Sequence, residues 1–209
     1  MLIWINGPFG GGKTQAAYAL QRRLPGSVVC DPEEAGLGLH RMTPARLRGD
    51  FQDLPAWRQG VYEVLDLVLS RHGGPVIVPM TVVEADYFQE TVGRLRERGH
   101  DVRHCALLAE RRTVLRRLER RGLGRVVRVV AGGEAALRRV DFAVRKLDRC
   151  LERLDRPEFA VHVRTDRLTV PQVVERVAEA AGVRLGPDAD GALKGRLHRA
   201  WTEIREIRL

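Results

Sequence analysis

The 209-residue sequence is poor in aromatic residues, in lysine and in cysteine, and it has no long apolar run. Without about 18 consecutive apolar residues there is no candidate for a membrane-spanning helix. Behind Met1 the chain reaches polar Asn6 within one short strand and then turns glycine-rich, which does not fit a signal peptide. Met1 leading straight into a strand pattern points to a cytoplasmic protein. The three cysteines, Cys30, Cys105 and Cys150, lie far apart, form no C-x-x-C pair and are odd in number. That excludes a disulfide framework and leaves reduced, packed thiols as the expectation. His100 and His104 have H-x3-H spacing, but they flank a turn and the start of a strand, which does not suit zinc. At 5% aromatics the chain has no evident stacking platform, so its net charge of +9 is not read as a nucleic-acid surface. Lysine occurs only at Lys13, Lys146 and Lys194, so the cations are nearly all arginine, interspersed with acids. Arginine's planar fork matches phosphate oxygens in pairs.

Short apolar runs alternate with helix-length amphipathic stretches. Strands are expected at Leu2–Asn6, Ser27–Asp31, Pro75–Met80, Asp101–Leu108 and Phe159–Arg164. Helices are expected from about Lys13 to Leu24, then at Pro55–Arg71, Glu84–Arg98, Arg111–Arg121, about Glu134–Leu154 and Val170–Ala181. In Pro55–Arg71 the apolar face is read as Trp57, Val61, Val64, Leu65, Val68 and Leu69. Near-continuous apolar strands alternating with helices imply an α/β fold: a five-stranded parallel sheet covered by helices on both faces, with ligands at the carboxyl ends of the strands. The predicted division is a domain over 1–185, with a helical lid at about 111–150 and a mobile segment near 124–133. Residues 186–209 follow as a linker and an amphipathic tail helix carrying Leu193, Leu197, Trp201 and Ile204. That stripe is read as docking on the body or a partner, with weak contact to an anionic membrane surface as the other reading. Monomer and homodimer both stay open.

Gly7, Pro8, Phe9, Gly10, Gly11, Gly12, Lys13 and Thr14 fit G-x-x-x-x-G-K-[ST], with a strand before and a helix after. In such a P-loop the glycines let backbone N–H groups face phosphate oxygens, and the helix start adds its positive dipole end. Lys13 neutralises β/γ-phosphate charge and Thr14 offers its hydroxyl to Mg²⁺. The motif therefore implies ATP or a similar nucleotide together with Mg²⁺, with Gly7, Phe9, Gly10, Gly11, Gly12, Lys13 and Thr14 in contact with it. No acid ends the third strand at Val78-Pro79-Met80-Thr81, and there is no N-K-x-D motif, which counts against motor-ATPase and GTPase readings. The second strand does end in an acid, Asp31. Beside the P-loop it serves as general base or holds Mg²⁺ through water; capping a turn or helix before Pro32 is the other role open to it. Arg117 and Arg121, at i and i+4, share a helix face, and Arg145 and Arg149 stand on the returning helix. Such arginines close over a nucleotide in small phosphotransferases; a solvated basic face is the alternative.

Together with the P-loop, Asp31-Pro32-Glu33, the run Asp50 to Arg58, Val78-Pro79-Met80-Thr81 and Leu147-Asp148-Arg149-Cys150 resemble the tunicamycin-resistance ATP-binding proteins. These are relatives of nucleoside-monophosphate kinases and of chloramphenicol phosphotransferase. The resemblance covers roughly residues 1–182; about 125–140 reads as an insertion. It implies phosphate transfer from ATP to a nucleoside antibiotic, or else binding of drug and ATP without chemistry. On the first reading Lys13, Asp31, Arg117, Arg121 and Arg149 act in transfer, Arg117 and Arg121 also holding the nucleotide. Asp31, Asp53, Arg58 and Thr81 line the acceptor side. A nucleic-acid-linked NTPase is a third reading, opposed by the missing acid and the lack of a basic–aromatic surface.

Overall fold

The computed structural model describes residues 1–119 and 134–187, with side chains from residue 144 onward in the second span. Arg121, the segment near 124–133 and the tail helix lie outside the described residues. Five parallel strands form one sheet: β1 (Leu2–Asn6), β2 (Val28–Val29), β3 (Val76–Pro79), β4 (Val102–Leu108) and β5 (His162–Arg164). Their order is β2-β3-β1-β4-β5, so β1 is central, with β3 and β4 on either side. The chain builds one half of the sheet first, then crosses to the other. The end of β1 is therefore the switch point where adjacent loops part and a crevice opens.

The alternation of β1 explains the two layers. Leu2 and Trp4 enter one core with Trp57, Val61, Leu65, Phe88, Val92 and Leu95. Ile3 and Ile5 enter the other with Ala16, Ala17, Leu20, Val173, Val174 and Val177. The first layer comes from α3 (Pro55–Arg71) and α4, which joins Ala85–Phe88, a π-helical turn Gln89–Gly93 and Arg94–Glu97. The second comes from α1 (Lys13–Arg23) and, after α5 (residues 111–119) and α6 (Glu134–Leu154), from α7 (Val170–Ala181). The expected strands and helices are found, with ends shifted by a few residues.

Two readings need correction. Val64 does not join the buried face of α3: it is 57% exposed, while Trp57, Val61 and Leu65 are buried. A six-residue apolar stripe wraps too far round a helix for all of it to face one sheet. An additional helix, α2 (Pro32–Met42), stands where the sequence reading had none. Its Gly36 and Gly38 lower helix propensity, but Gly36 has a packing reason. A Cβ there would lie 2.5 Å from the Phe51 ring, so only glycine lets Phe51 rest on the α2 backbone. At the far end of the domain, Gly186 donates to the Arg23 carbonyl at 2.7 Å and accepts from Arg23 Nε at 3.2 Å. The first linker residue is thus pinned to the end of α1.

Candidate active site

The loop after β1 turns through Gly10 (φ +77°) and Gly12 (φ +92°), values that L side chains rarely adopt. Gly10 also needs its missing side chain for space, because a Cβ would stand 2.9 Å from Leu118 Cγ of α5. Gly12 is the N-cap of α1; no side chain caps that helix and its first turn holds no acid. Those first-turn N–H groups are available to an oxyanion. Lys13 Nζ donates to the Pro8 carbonyl at 3.2 Å and lies 5.6 Å from the Phe9 ring centre. The loop is braced from below by buried Asn6, whose Oδ1 accepts from Gly7 N at 2.9 Å and Val82 N at 3.0 Å. Thr81 Oγ1 donates to the Gly7 carbonyl at 2.7 Å, tying the end of β3 to the same loop.

Asp31 follows β2 and starts α2. Its carboxylate accepts from Glu33 N at 3.0 Å, and Pro32 fills the first helical position, so it is a helix cap. It is also perturbed. Burial raises its pKa to about 7; the Glu33 N–H and the nearby Lys13 charge lower it, and the charges of Glu33 and Glu34 raise it. Capping and proton transfer are therefore compatible here. The helix start is locked by the run after Asp50: Trp57 Nε1 donates to the Pro32 carbonyl at 3.0 Å, and Phe51 packs between His40 and Trp57. Gln52 Nε2 donates to the Thr81 carbonyl at 2.9 Å, joining that run to β3.

Between these elements lies a cavity of about 480 Å³, with Phe9 and Lys13 at one side and α6 as its roof. Glu33, Leu37 and His40 of α2 line it, with Asp50 to Asp53, Met80, Thr81, Glu84 and Tyr87. The roof contributes Lys146, Leu147, Arg149 and Cys150. Lys146 Nζ bonds Asp50 Oδ2 at 2.7 Å, and Arg149 Nη2 bonds Glu84 Oε1 at 2.7 Å. Arg153 pairs with the other oxygen of Glu84. Positions 146, 149 and 153 share one helix face, so α6 is tied to both walls of the cavity. Val114 and Leu118 of α5 pack with Leu147 and Leu151, which couples the roof to the P-loop through Gly10. Burial holds the Cys150 thiol at about 11, against the pull of Lys13, so it is unreactive.

The sequence-predicted residues are therefore divided. Gly7, Phe9, Gly10, Gly11, Gly12, Lys13 and Thr14 form the loop, and Asp31 stands close enough to Lys13 to feel its charge. Asp53, Thr81 and Arg149 line the cavity. Arg58 does not: it is 8% exposed, donates to Glu90 Oε2 at 2.7 Å and to the Gln52 carbonyl at 2.5 Å, and stacks 4.3 Å from the Tyr87 ring. It supports the wall from behind. Arg117 also points elsewhere, donating to Thr165 Oγ1 at 3.1 Å and to the Thr165 carbonyl at 2.8 Å. The H-x3-H pair is split: His100 bonds Asp66 at 2.6 Å, while buried His104 faces the Ala160 carbonyl at 3.2 Å. Among the described residues no group of three or more His, Cys, Asp or Glu could hold a metal. No described helix is long and apolar enough to cross a membrane. Asp50, Glu84, Tyr87, Lys146 and the α2 residues were not singled out from sequence. The Asp31-Pro32-Glu33-Glu34 start, a helix N-terminus signature, was the signal that could have revealed α2.

A family model described as an AAA domain matches residues 2–140. The structure is similar to the tunicamycin resistance protein of Deinococcus radiodurans at 33% identity and a TM-score of 0.69, covering 89% of this chain and 98% of that one. A sugar kinase from Janibacter sp. is 18% identical, covering 87% of this chain and 94% of that one, at a TM-score of 0.56. The APS kinase of Mycobacterium tuberculosis, solved with AMPPNP and APS, is 16% identical, covering 87% and 96%, at a TM-score of 0.54. At those identities the two kinases share the fold with this chain. No curated protein matches the sequence.

Proposed function

The chain belongs to the AAA-domain P-loop proteins and, among them, to the tunicamycin-resistance family, and we propose that it is an ATP-dependent phosphotransferase acting on a hydroxyl of a tunicamycin-like nucleoside antibiotic, conferring resistance in the cytoplasm. The observation that carries this reading is the placement of Asp31, close enough to Lys13 to feel its charge and two residues before Glu33, which lines a cavity of about 480 Å³ shared with the P-loop; burial raises its pKa to about 7. A sequestering protein has no need of a group poised to exchange protons at neutral pH.

The loop fits a triphosphate: Gly10 and Gly12 hold the positive φ that turns it, a Cβ at Gly12 would meet no protein atom, and the start of α1 is uncapped. Thr14 suits Mg²⁺, which keeps most of its ligands from water and phosphate rather than from a protein cage. Bound Mg·ATP supplies the transferable phosphoryl group and the metal's charge. Lys13 and the α1 N-terminus offset phosphate charge as the γ-phosphorus–oxygen bond to the leaving diphosphate breaks. Asp31 takes the proton from the acceptor hydroxyl as that oxygen bonds to the γ-phosphorus. Asp53, Thr81, Asp50 and Glu84 orient the acceptor beneath α6, and Arg149 meets the developing charge from the roof.

Incubating the chain with Mg·ATP and tunicamycin should give a drug mass gain of one phosphoryl group, and Lys13→Ala should abolish it. Tight binding of drug and nucleotide with no mass gain would instead establish sequestration.

A further inference from the structure

We propose that the acceptor is bipartite, and that its second part, an uncharged hydroxyl-bearing arm such as a glycosyl group, occupies a separate chamber beside the main cavity. The inference rests on the phosphotransferase reading. Between the start of α4 and the end of α6 lies a second cavity of about 300 Å³, the lower end of the range for small-molecule sites. Val83, Glu84 and Tyr87 line both cavities. The partition is Glu84, whose two oxygens bind Arg149 on the main side and Arg153 on the other. A ligand filling the first chamber thus shares the Val83, Glu84 and Tyr87 wall with whatever occupies the second.

The chemistry of the second chamber differs from that of the first. It is lined by Asp86, Arg153, Arg156 and Glu158, with little apolar surface beyond Val83 and Ala85. Asp86 and Glu158 form no side-chain bond among the described residues. Arg156 has only a 3.5 Å contact with Glu152. Two carboxylate acceptors and a guanidinium donor thus converge with unspent bonding capacity. A hydroxyl donates and accepts at once, so a polyol satisfies both kinds of group. An anionic arm would meet Asp86 and Glu158, a cationic arm would meet Arg153 and Arg156, and an apolar arm would desolvate all four without replacing their hydrogen bonds.

The test uses the full chain with Mg²⁺ and a non-hydrolysable ATP analogue, and two ligands: uridine, and tunicamycin, a nucleoside extended by further sugars. The Asp86→Ala/Glu158→Ala double variant alters only exposed residues outside the main cavity. Losing two hydrogen bonds should weaken tunicamycin roughly tenfold by calorimetry and leave uridine unchanged. An unchanged tunicamycin affinity, or a parallel loss for uridine, overturns the proposal. Amide NMR with methyl glucoside reads the chamber independently of any drug: shifts at Asp86, Tyr87 and Glu158 that vanish in the double variant support it, and their absence in the wild type overturns it. Phosphoryl transfer is measured separately, so failure of the enzymatic reading and failure of the second chamber give different results.

Discussion

Replacing Asp31 with asparagine should increase stability while removing activity. Asparagine accepts from Glu33 N as the carboxylate does, so the cap on α2 is kept; what is lost is the ability to ionise. The carboxyl titrates at about 7 rather than 3.8, chiefly because it is buried. Three pKa units at 1.36 kcal/mol each correspond to about 4 kcal/mol favouring the protonated form, an upper limit for a side chain that keeps some solvent contact. The sign follows from linkage. The folded pKa lies above the unfolded one, so this contribution to stability is fully present below about pH 3.8 and is lost as pH rises through about 7. Urea unfolding should therefore find wild type and Asp31→Asn equal near pH 4 and the variant more stable by about 2 kcal/mol near pH 8. Catalysis runs the other way. Wild-type kcat/KM should rise about tenfold per pH unit below 7 and level off above it, whereas Asp31→Asn should lose about 10²–10⁴-fold at every pH with nucleotide affinity kept. Full transfer by Asp31→Asn where Asp31→Ala is inactive would reduce Asp31 to a cap. A variant less stable than wild type near pH 8 would refute the electrostatic argument, since it would mean that the fold favours the charged form.

Arg58→Ala should destabilise the fold by about 2 kcal/mol, the cost of leaving Gln52 O and Glu90 without their buried partner; a KM effect at unchanged stability would return Arg58 to the acceptor side. Arg149→Gln should lower kcat by roughly 10²-fold with little change in unfolding free energy, because its pair with Glu84 is exposed; an unchanged rate would make it a roof brace alone. His104 has its pKa lowered to about 4, mainly by burial, with the charges of Arg96 and His162 adding to the effect. The unfolded chain therefore binds that proton first, and about 3 kcal/mol of stability should be lost as pH falls from about 6.5 toward 4; acid titration of His104→Asn should lack this loss, and an unmoved acid midpoint would contradict it.

The readable parts of the sequence are those whose meaning is local. Gly7 to Thr14 is contiguous, and each strand's apolar run carries its own burial signal, so loop and sheet follow directly. The helix α2 escaped because Gly36 and Gly38 read as breakers, and the reason for Gly36 lies in Phe51, fifteen positions on. Asp50, Glu84, Lys146 and Arg149 acquire roles through pairs spanning 96 and 65 residues, which no local pattern announces. Arginine direction is equally hidden. Arg58 sits in the run that carries the family resemblance, yet its guanidinium turns away from the cavity to Glu90. Arg117 has the right helix, but Thr165, beyond β5, claims its fork.

That difference in direction decides where switchable positive charge can come from. Arg117 donates twice to Thr165, a residue that is 1% exposed, and Arg58 is bound to a backbone carbonyl inside the wall. Moving either would leave a buried acceptor unsatisfied, a loss of about 1–3 kcal/mol that a ligand would have to offset. Lys146 and Arg149 differ: their side chains are 47% and 57% exposed, and Glu84 keeps Arg153 as a second partner when Arg149 moves. Exposed pairs of this kind contribute about 0–1 kcal/mol, so phosphate or acceptor groups can displace them at little cost. Among these cations, those least costly to redirect therefore stand on α6. The packing of Leu147 and Leu151 on Val114 and Leu118, and of Leu118 on Gly10, gives that helix a direct mechanical link to the loop holding the nucleotide.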